Sequence, residues 1–174
     1  ASVGKSTLRV YQVPKIAVVS TGDELVAINQ TPLPHQIRQS NAYTLQAFLA
    51  KMNMNADIFH VRDNRDEMKH LLEQLLNTHD LIITTGSVSA GGVDILPDVL
   101  ANLDVRKLIH KIEQRPGKPM WFGRKGLKFV FALPGNPVSI VVCFLKYVRM
   151  WLLRSMGVKP EMQLYASLES DIIF

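Results

Sequence analysis

Short runs of β-branched and aliphatic residues alternate along this chain with longer stretches whose apolar positions recur every three or four residues. The first run, Lys15-Ile16-Ala17-Val18-Val19-Ser20-Thr21, is stopped by Gly22 and reads as a strand buried on both faces. Leu45, Phe48, Leu49 and Met52 then fall at i, i+3, i+4 and i+7, one face of a helix that Ser40 or Asn41 is placed to cap. A second strand, Ala56 to Val61, leads into Met68, Leu71, Leu72, Leu75 and Leu76, again at helical spacing after the capping pattern Asn64-Arg65-Asp66-Glu67.

Leu81-Ile82-Ile83-Thr84-Thr85 is a third buried strand, ended by Gly86. The helix after it carries Ile95, Leu96, Val99, Leu100 and Leu103 on one side, with Pro97 confined to its first turn. The alternation from Arg106 to Gln114 predicts a strand, Phe129 to Leu133 predicts another, and Gly126 turns the chain between them. The last helix opens at Asn136-Pro137, a capping Asn before a Pro at the first helical position. Strands alternating with helices of this length predict parallel crossover units: an α/β fold with a doubly wound, mostly parallel sheet and helices on both faces, in three layers. No internal repeat or low-complexity segment interrupts the pattern.

Composition narrows the classes. At 174 residues the chain has room for one domain of the usual size, roughly 100–150 residues, with little to spare. With 47% hydrophobic and 20% charged residues it is a globular chain and not a disordered one. The single Cys143 excludes an intramolecular disulfide and an all-cysteine metal site, and it suits a reducing compartment such as the cytoplasm. The formal net charge of +5 is spread without a dense basic run, which reads as a solvated basic surface and not as a nucleic-acid site. Val138 to Leu153 is the most apolar stretch. It contains Lys146 and Arg149 and falls short of the ~20 residues of a membrane span, so it is expected as a buried helix.

In open α/β sheets ligands bind beyond the carboxyl ends of the strands. The segments there are Thr21-Gly22-Asp23-Glu24-Leu25, Arg62-Asp63 and the run from Thr85 to Asp94, so three loops bring carboxylates to one edge. Such a group repels itself unless a hard cation sits among its oxygens, and Mg²⁺ suits that donor set. Helix-dipole preference accounts for Asp23 taken singly; it does not account for the set. The small and hydroxyl residues from Thr85 to Asp94 let backbone N–H groups approach a phosphate or oxyanion. The spacing there is neither that of a P-loop nor of a dinucleotide fingerprint. Leu133-Pro134-Gly135-Asn136-Pro137-Val138-Ser139 is a second strand-to-helix turn, with a helix N-terminus expected to be open to an anion. Lys111 and Arg115 lie an even number of residues apart on the expected strand, hence on one face, and Lys118 follows in Pro116-Gly117-Lys118-Pro119. The five His residues show no metal-ligand spacing, and Cys143 among Val and Phe reads as core.

Taken in order, Ser20-Thr21-Gly22-Asp23-Glu24-Leu25, Ser40-Asn41, Val61-Arg62-Asp63, the Thr85 to Asp94 loop, Pro116-Gly117-Lys118-Pro119 with Phe122-Gly123, and Leu133 to Ser139 resemble the molybdopterin molybdenumtransferase (MoeA) family, whose vertebrate relative is the C-terminal part of gephyrin. The resemblance covers about Lys15 to Gly157. It implies a molybdopterin-binding domain at 15–157, a linker from a missing preceding domain at 1–14 and the start of a truncated C-terminal β domain at 158–174. It also implies a reaction: Mg²⁺-assisted insertion of molybdate into adenylated molybdopterin, with release of AMP, in a homodimer and with a Mog-type adenylyltransferase as a partner.

By the same resemblance Glu24, Asp63 and Asp94 are the catalytic carboxylates, with Asp63 and Asp94 at the metal. The substrate side comprises Thr85, Gly86, Ser87, Ser89, Gly91, Lys111, Arg115, Lys118, Pro134, Gly135, Asn136 and Pro137. Two positions depart from the family pattern: Ser87 stands where a second Gly is usual, and Gln39 where an acidic residue often precedes Ser-Asn. Two other readings remain, a molybdopterin-binding or scaffold module without turnover and a Mog-type adenylyltransferase. Against the latter stand the Ser-Thr-Gly-Asp-Glu-Leu opening, the Pro-Gly-Lys-Pro element and Asn136.

Overall fold

A computed structural model describes residues 2–86, 88 and 95–159 of the chain. The elements in order are β1 (Ile16–Thr21), β2 (Leu25–Val26), β3 (Ile37–Arg38), α1 (Asn41–Lys51), β4 (Ala56–Val61), α2 (Arg65–Thr78), β5 (Leu81–Thr85), α3 (Ile95–Asn102), β6 (Arg106–His110), β7 (Trp121–Lys125), β8 (Lys128–Leu133), α4 (Pro137–Cys143), a π-helical turn (Phe144–Val148) and α5 (Arg149–Ser155). Six strands form one sheet in the order β4-β1-β5-β8-β7-β6. The first four run parallel, and β7 is antiparallel to both of its neighbours. Residues 160–174, most of the expected start of a β domain, lie outside the described residues.

The sheet separates two apolar layers. Ile16 and Val18 of β1 pack with Leu81 and Ile83 of β5 under α1 and the last helix, whereas Ala17, Val19 and Ile82 face α2 and α3. Every residue of β1 and β5 is therefore buried, which is why these strands are written in continuous apolar residues. Each fully buried Val, Leu or Ile contributes on the order of 1.5–3 kcal/mol. At the amino edge Asp80 ties three strands together. Its carboxylate accepts from Lys15 N at 2.9 Å and Lys128 Nζ at 3.0 Å, and its carbonyl accepts from Phe129 N at 2.9 Å. These bonds, the Lys15 backbone bond foremost, hold the Asp80 carboxyl below its ordinary pKa.

Four expectations need correction. The strand expected over Arg106 to Gln114 ends at His110. Lys111 takes a left-handed φ of 62° and the chain closes on itself, with Lys111 N donating to Met120 O at 2.9 Å and Ile112 N to Lys118 O at 2.8 Å. Lys111 and Arg115 thus share no strand face. Second, β7 is an additional strand: Gly126 turns β7 into β8, not β6 into β8. Its alternation is broken at Gly123, where a Cβ would strike the Trp121 ring and Arg106 O. Third, Ser40 precedes α1 in a helical conformation and its side chain makes no capping bond; Thr44 Oγ1 donates to its carbonyl instead. Finally, the last helix carries a π-helical turn, closed by Arg149 N donating to Phe144 O, that no local pattern marks.

Candidate functional site

In the strand order β4-β1-β5-β8, β1 connects outward through α1 to β4, and the chain then returns across β1 to β5. The crevice between the carboxyl ends of β1 and β5 is therefore the topological switch point where such sheets bind ligands. Three loop ends meet there at van der Waals distance. Thr21 Oγ1 donates to Thr85 O at 3.2 Å, and Gly86 N donates to Leu133 O at 3.3 Å. Gly86 has φ of 98°, and a Cβ on it would lie 2.6 Å from Thr21 O; one on Gly135 would lie 3.4 Å from Gly86 Cα. Glycine is required at 86 for both reasons. Asn41, at the start of α1, completes the junction by donating from Nδ2 to Gly135 O at 2.8 Å.

The acidic side of this edge comes from β1 and β4, which pair in register as far as Thr21 and Val61. That pairing brings Asp23, Glu24 and Asp63 together. Asp63 N donates to Asp23 Oδ1 at 3.3 Å, and His60 Nε2 lies 3.0 Å from Gly22 O. Partial desolvation raises the pKa of Asp63, and the charges of Asp23 and Glu24 raise it further. A backbone hydrogen bond at Asp23 and the His60 ring pull the other way without reversing the shift. Ser87, Ser89, Gly91 and Asp94 lie outside the described residues. Among the described residues no three His, Cys, Asp or Glu side chains are arranged to hold a metal ion.

The basic side lies across the junction. β6 runs parallel to β8 because both are antiparallel to β7, so the loop from Lys111 to Met120 opens on the same edge as Leu133 to Asn136. Lys111, Arg115 and Lys118 are all exposed on it. The turn after β8 differs from expectation in one respect. Asn136 Oδ1 accepts from Val138 N at 3.0 Å and Ser139 N at 3.1 Å, so the first amides of α4 are already satisfied and are not open to an anion. Pro134 is buried beneath this turn, whereas Gly135, Asn136 and Pro137 are exposed.

A cavity of about 890 Å³ opens elsewhere, between α5 and the sheet face carrying Phe122, Phe129 and Phe131. Its lining includes Pro14 and Asp80, which precede β1 and β5, and Met120 and Tyr147 at the base of the basic loop, but none of the candidate residues. It lies away from the switch point and lacks its converging polar loops. Sequence reasoning missed Asn41 as a strut, His60 as a neighbour of the acidic group, and Gln114 and Tyr147 as partners of the basic loop. Their roles arise from tertiary pairing, and only the Ser40-Asn41 dipeptide offered a signal.

A family model described as a probable molybdopterin binding domain matches residues 17–154. Among relatives, the molybdopterin molybdenumtransferase of Synechocystis sp. is 37% identical over 176 residues, covering 99% of this chain and 43% of the relative. That of Staphylococcus epidermidis is 32% identical over 160 residues, covering 91% of this chain and 38% of the relative. The chain thus spans about two fifths of the length of these relatives. Among solved structures, the molybdopterin biosynthesis MoeA protein from Pyrococcus horikosii superposes with a TM-score of 0.73 at 32% identity, covering 83% of this chain and 36% of that one.

Proposed function

This chain belongs to the family of probable molybdopterin binding domains, and from that premise we propose that it binds adenylated molybdopterin along its carboxyl edge and serves the insertion of molybdate with release of AMP. The relatives named molybdopterin molybdenumtransferase support the reaction class. The observation that carries the site is the division of one sheet edge into an acidic and a basic side, with the Gly86–Gly135 junction between them. Cleaving a phosphoanhydride beside an oxyanion accumulates negative charge, and opposed cations are what stabilise it. In this reading Lys111, Arg115 and Lys118 receive the anionic groups of the substrate, while Thr85, Gly86, Ser87, Ser89, Gly91 and the turn from Pro134 to Pro137 form the cradle.

The oxygen-only donor set and the mutual repulsion around Asp63 fit a hard divalent cation. Asp63 and Asp94 are the residues proposed to hold Mg²⁺, which when bound neutralises phosphate charge. Glu24, whose charge acts on Asp63, is proposed to orient the incoming molybdate or its proton. Residues 15–157 are proposed as the binding domain. The protein is proposed to work in the cytoplasm as a homodimer, on adenylate supplied by a Mog-type adenylyltransferase. Among the described residues no helix is long and apolar enough to cross a membrane.

The test measures AMP release from adenylated molybdopterin with Mg²⁺ and molybdate. It compares this chain, the same chain extended to the relatives' length, and the extended chain carrying Asp94→Asn. Molybdate-dependent release that is lost in Asp94→Asn is expected. Tight binding with no release under any condition would favour a scaffold module, and formation of the adenylate from ATP and molybdopterin would favour adenylyl transfer.

A further inference from the structure

The loop that carries Lys118 is held from beneath by side chains that no motif singles out. Tyr147 OH donates to Gln114 Oε1 at 2.7 Å, and Gln114 Nε2 in turn donates to Pro116 O at 2.8 Å. One turn earlier on the same helix, Cys143 Sγ donates to Gly117 O at 3.8 Å. Desolvation pushes the Cys143 thiol up to about 11, so it remains protonated and able to donate. A Cβ on Gly117 would lie 2.5 Å from Cys143 Sγ and 2.8 Å from Gln114 Nε2, so the loop backbone rests directly on this pair. Gly117 is buried and Lys118, the next residue, is exposed. The support therefore ends where the cationic side chain begins.

One helix reaches this loop while still filling the core because residues four apart lie on nearly the same helix face. Cys143 and Tyr147 both meet the loop, whereas Phe144, Val148 and Leu152 remain fully buried. Trp151 packs against Phe129 with ring centroids 4.6 Å apart and the planes tilted by 54°. π-Helical turns such as Phe144–Val148 are often found beside functional sites.

We propose that Tyr147 and Gln114 are positioning residues for Lys118: their hydrogen-bonded relay, with Cys143 beneath Gly117, fixes the ammonium group where the anionic part of the substrate docks. The inference rests on the reading that Lys118 meets adenylated molybdopterin. The relay and the thiol satisfy the Pro116 and Gly117 carbonyls and so hold the backbone immediately before Lys118.

A double-mutant cycle tests it on the whole chain, with adenylated molybdopterin as the titrant. Lys118→Ala, Tyr147→Phe and their combination are compared by dissociation constant, and each by melting temperature. Tyr147→Phe removes one oxygen and is expected to weaken binding about fivefold while lowering the melting temperature by only about 2–4 °C, the stability value of one net hydrogen bond. In the Lys118→Ala background the same change is expected to have no further effect, because its influence passes through Lys118. Gln114→Met, which breaks the relay at its other member, is expected to reproduce the loss and keeps the test open if Tyr147→Phe fails to fold. If Lys118→Ala weakens binding and the relay variants do not, or if the two losses simply multiply, the positioning role is overturned and the substrate reading survives. If Lys118→Ala leaves binding unchanged, the reading beneath it fails.

Discussion

Asp63 is held in a form that works against the fold at neutral pH. Desolvation first, then the charges of Asp23 and Glu24, raise its pKa in the folded chain. A carboxyl with a folded pKa above its unfolded value of about 3.9 contributes stability fully present below that pH and lost as pH rises through the folded value. Asp63→Asn removes the charge. Without divalent cations its melting temperature is expected to exceed that of the parent at pH 7, with the gap closing towards about pH 4. Added Mg²⁺ is expected to stabilise the parent more than the variant. Equal melting at pH 7 would show that solvent screens the three carboxylates from one another. That Asp63 follows a strand is legible in the sequence. Its coupling to Asp23 is not, because it depends on β1 pairing with β4.

Two helix starts make opposite predictions. Asn136 accepts from two amides of α4, so Asn136→Ala is expected to cost about 1 kcal/mol in chemical denaturation. Ser40 makes no capping bond, so Ser40→Ala is expected to cost little, within about 0.5 kcal/mol. At the junction, Gly86→Ala combines a positive φ with a Cβ driven against Thr21 O, and a loss of about 1–3 kcal/mol is expected together with loss of ligand binding. Parental stability in that variant would mean the loop relaxes freely. The buried strands and the faces of α1, α2 and α3 are readable because continuous apolar runs and helical spacing are local signals. β7 is not, since Gly123 interrupts its alternation where the Trp121 ring needs room. The end of β6 is obscured because Ile112 and Gln114 extend an alternation whose hydrogen bonds have already turned back on Met120 and Lys118.

At the scale of the molecule, alternating strands and helices announce a doubly wound sheet, yet only the assembled strand order shows which loops meet. The order β4-β1-β5-β8 sets the acidic loops beside the Gly86 junction, and the antiparallel pair β7 and β6 returns the lysine-bearing loop to the same edge. An expectation built on strand parity puts Lys111 and Arg115 on a shared face. They share an edge instead, through a closed loop held by the last helix. The central claim is that ligand binds this edge and not the aromatic cavity beside α5. The most direct measurement is amide chemical-shift mapping of the labelled chain during titration with adenylated molybdopterin and Mg²⁺. Shifts concentrated at Gly22, Asp63, Gly86, Lys111 and Lys118 are predicted; shifts concentrated at Phe129, Trp151 and Arg154, with the carboxyl edge silent, would contradict the account.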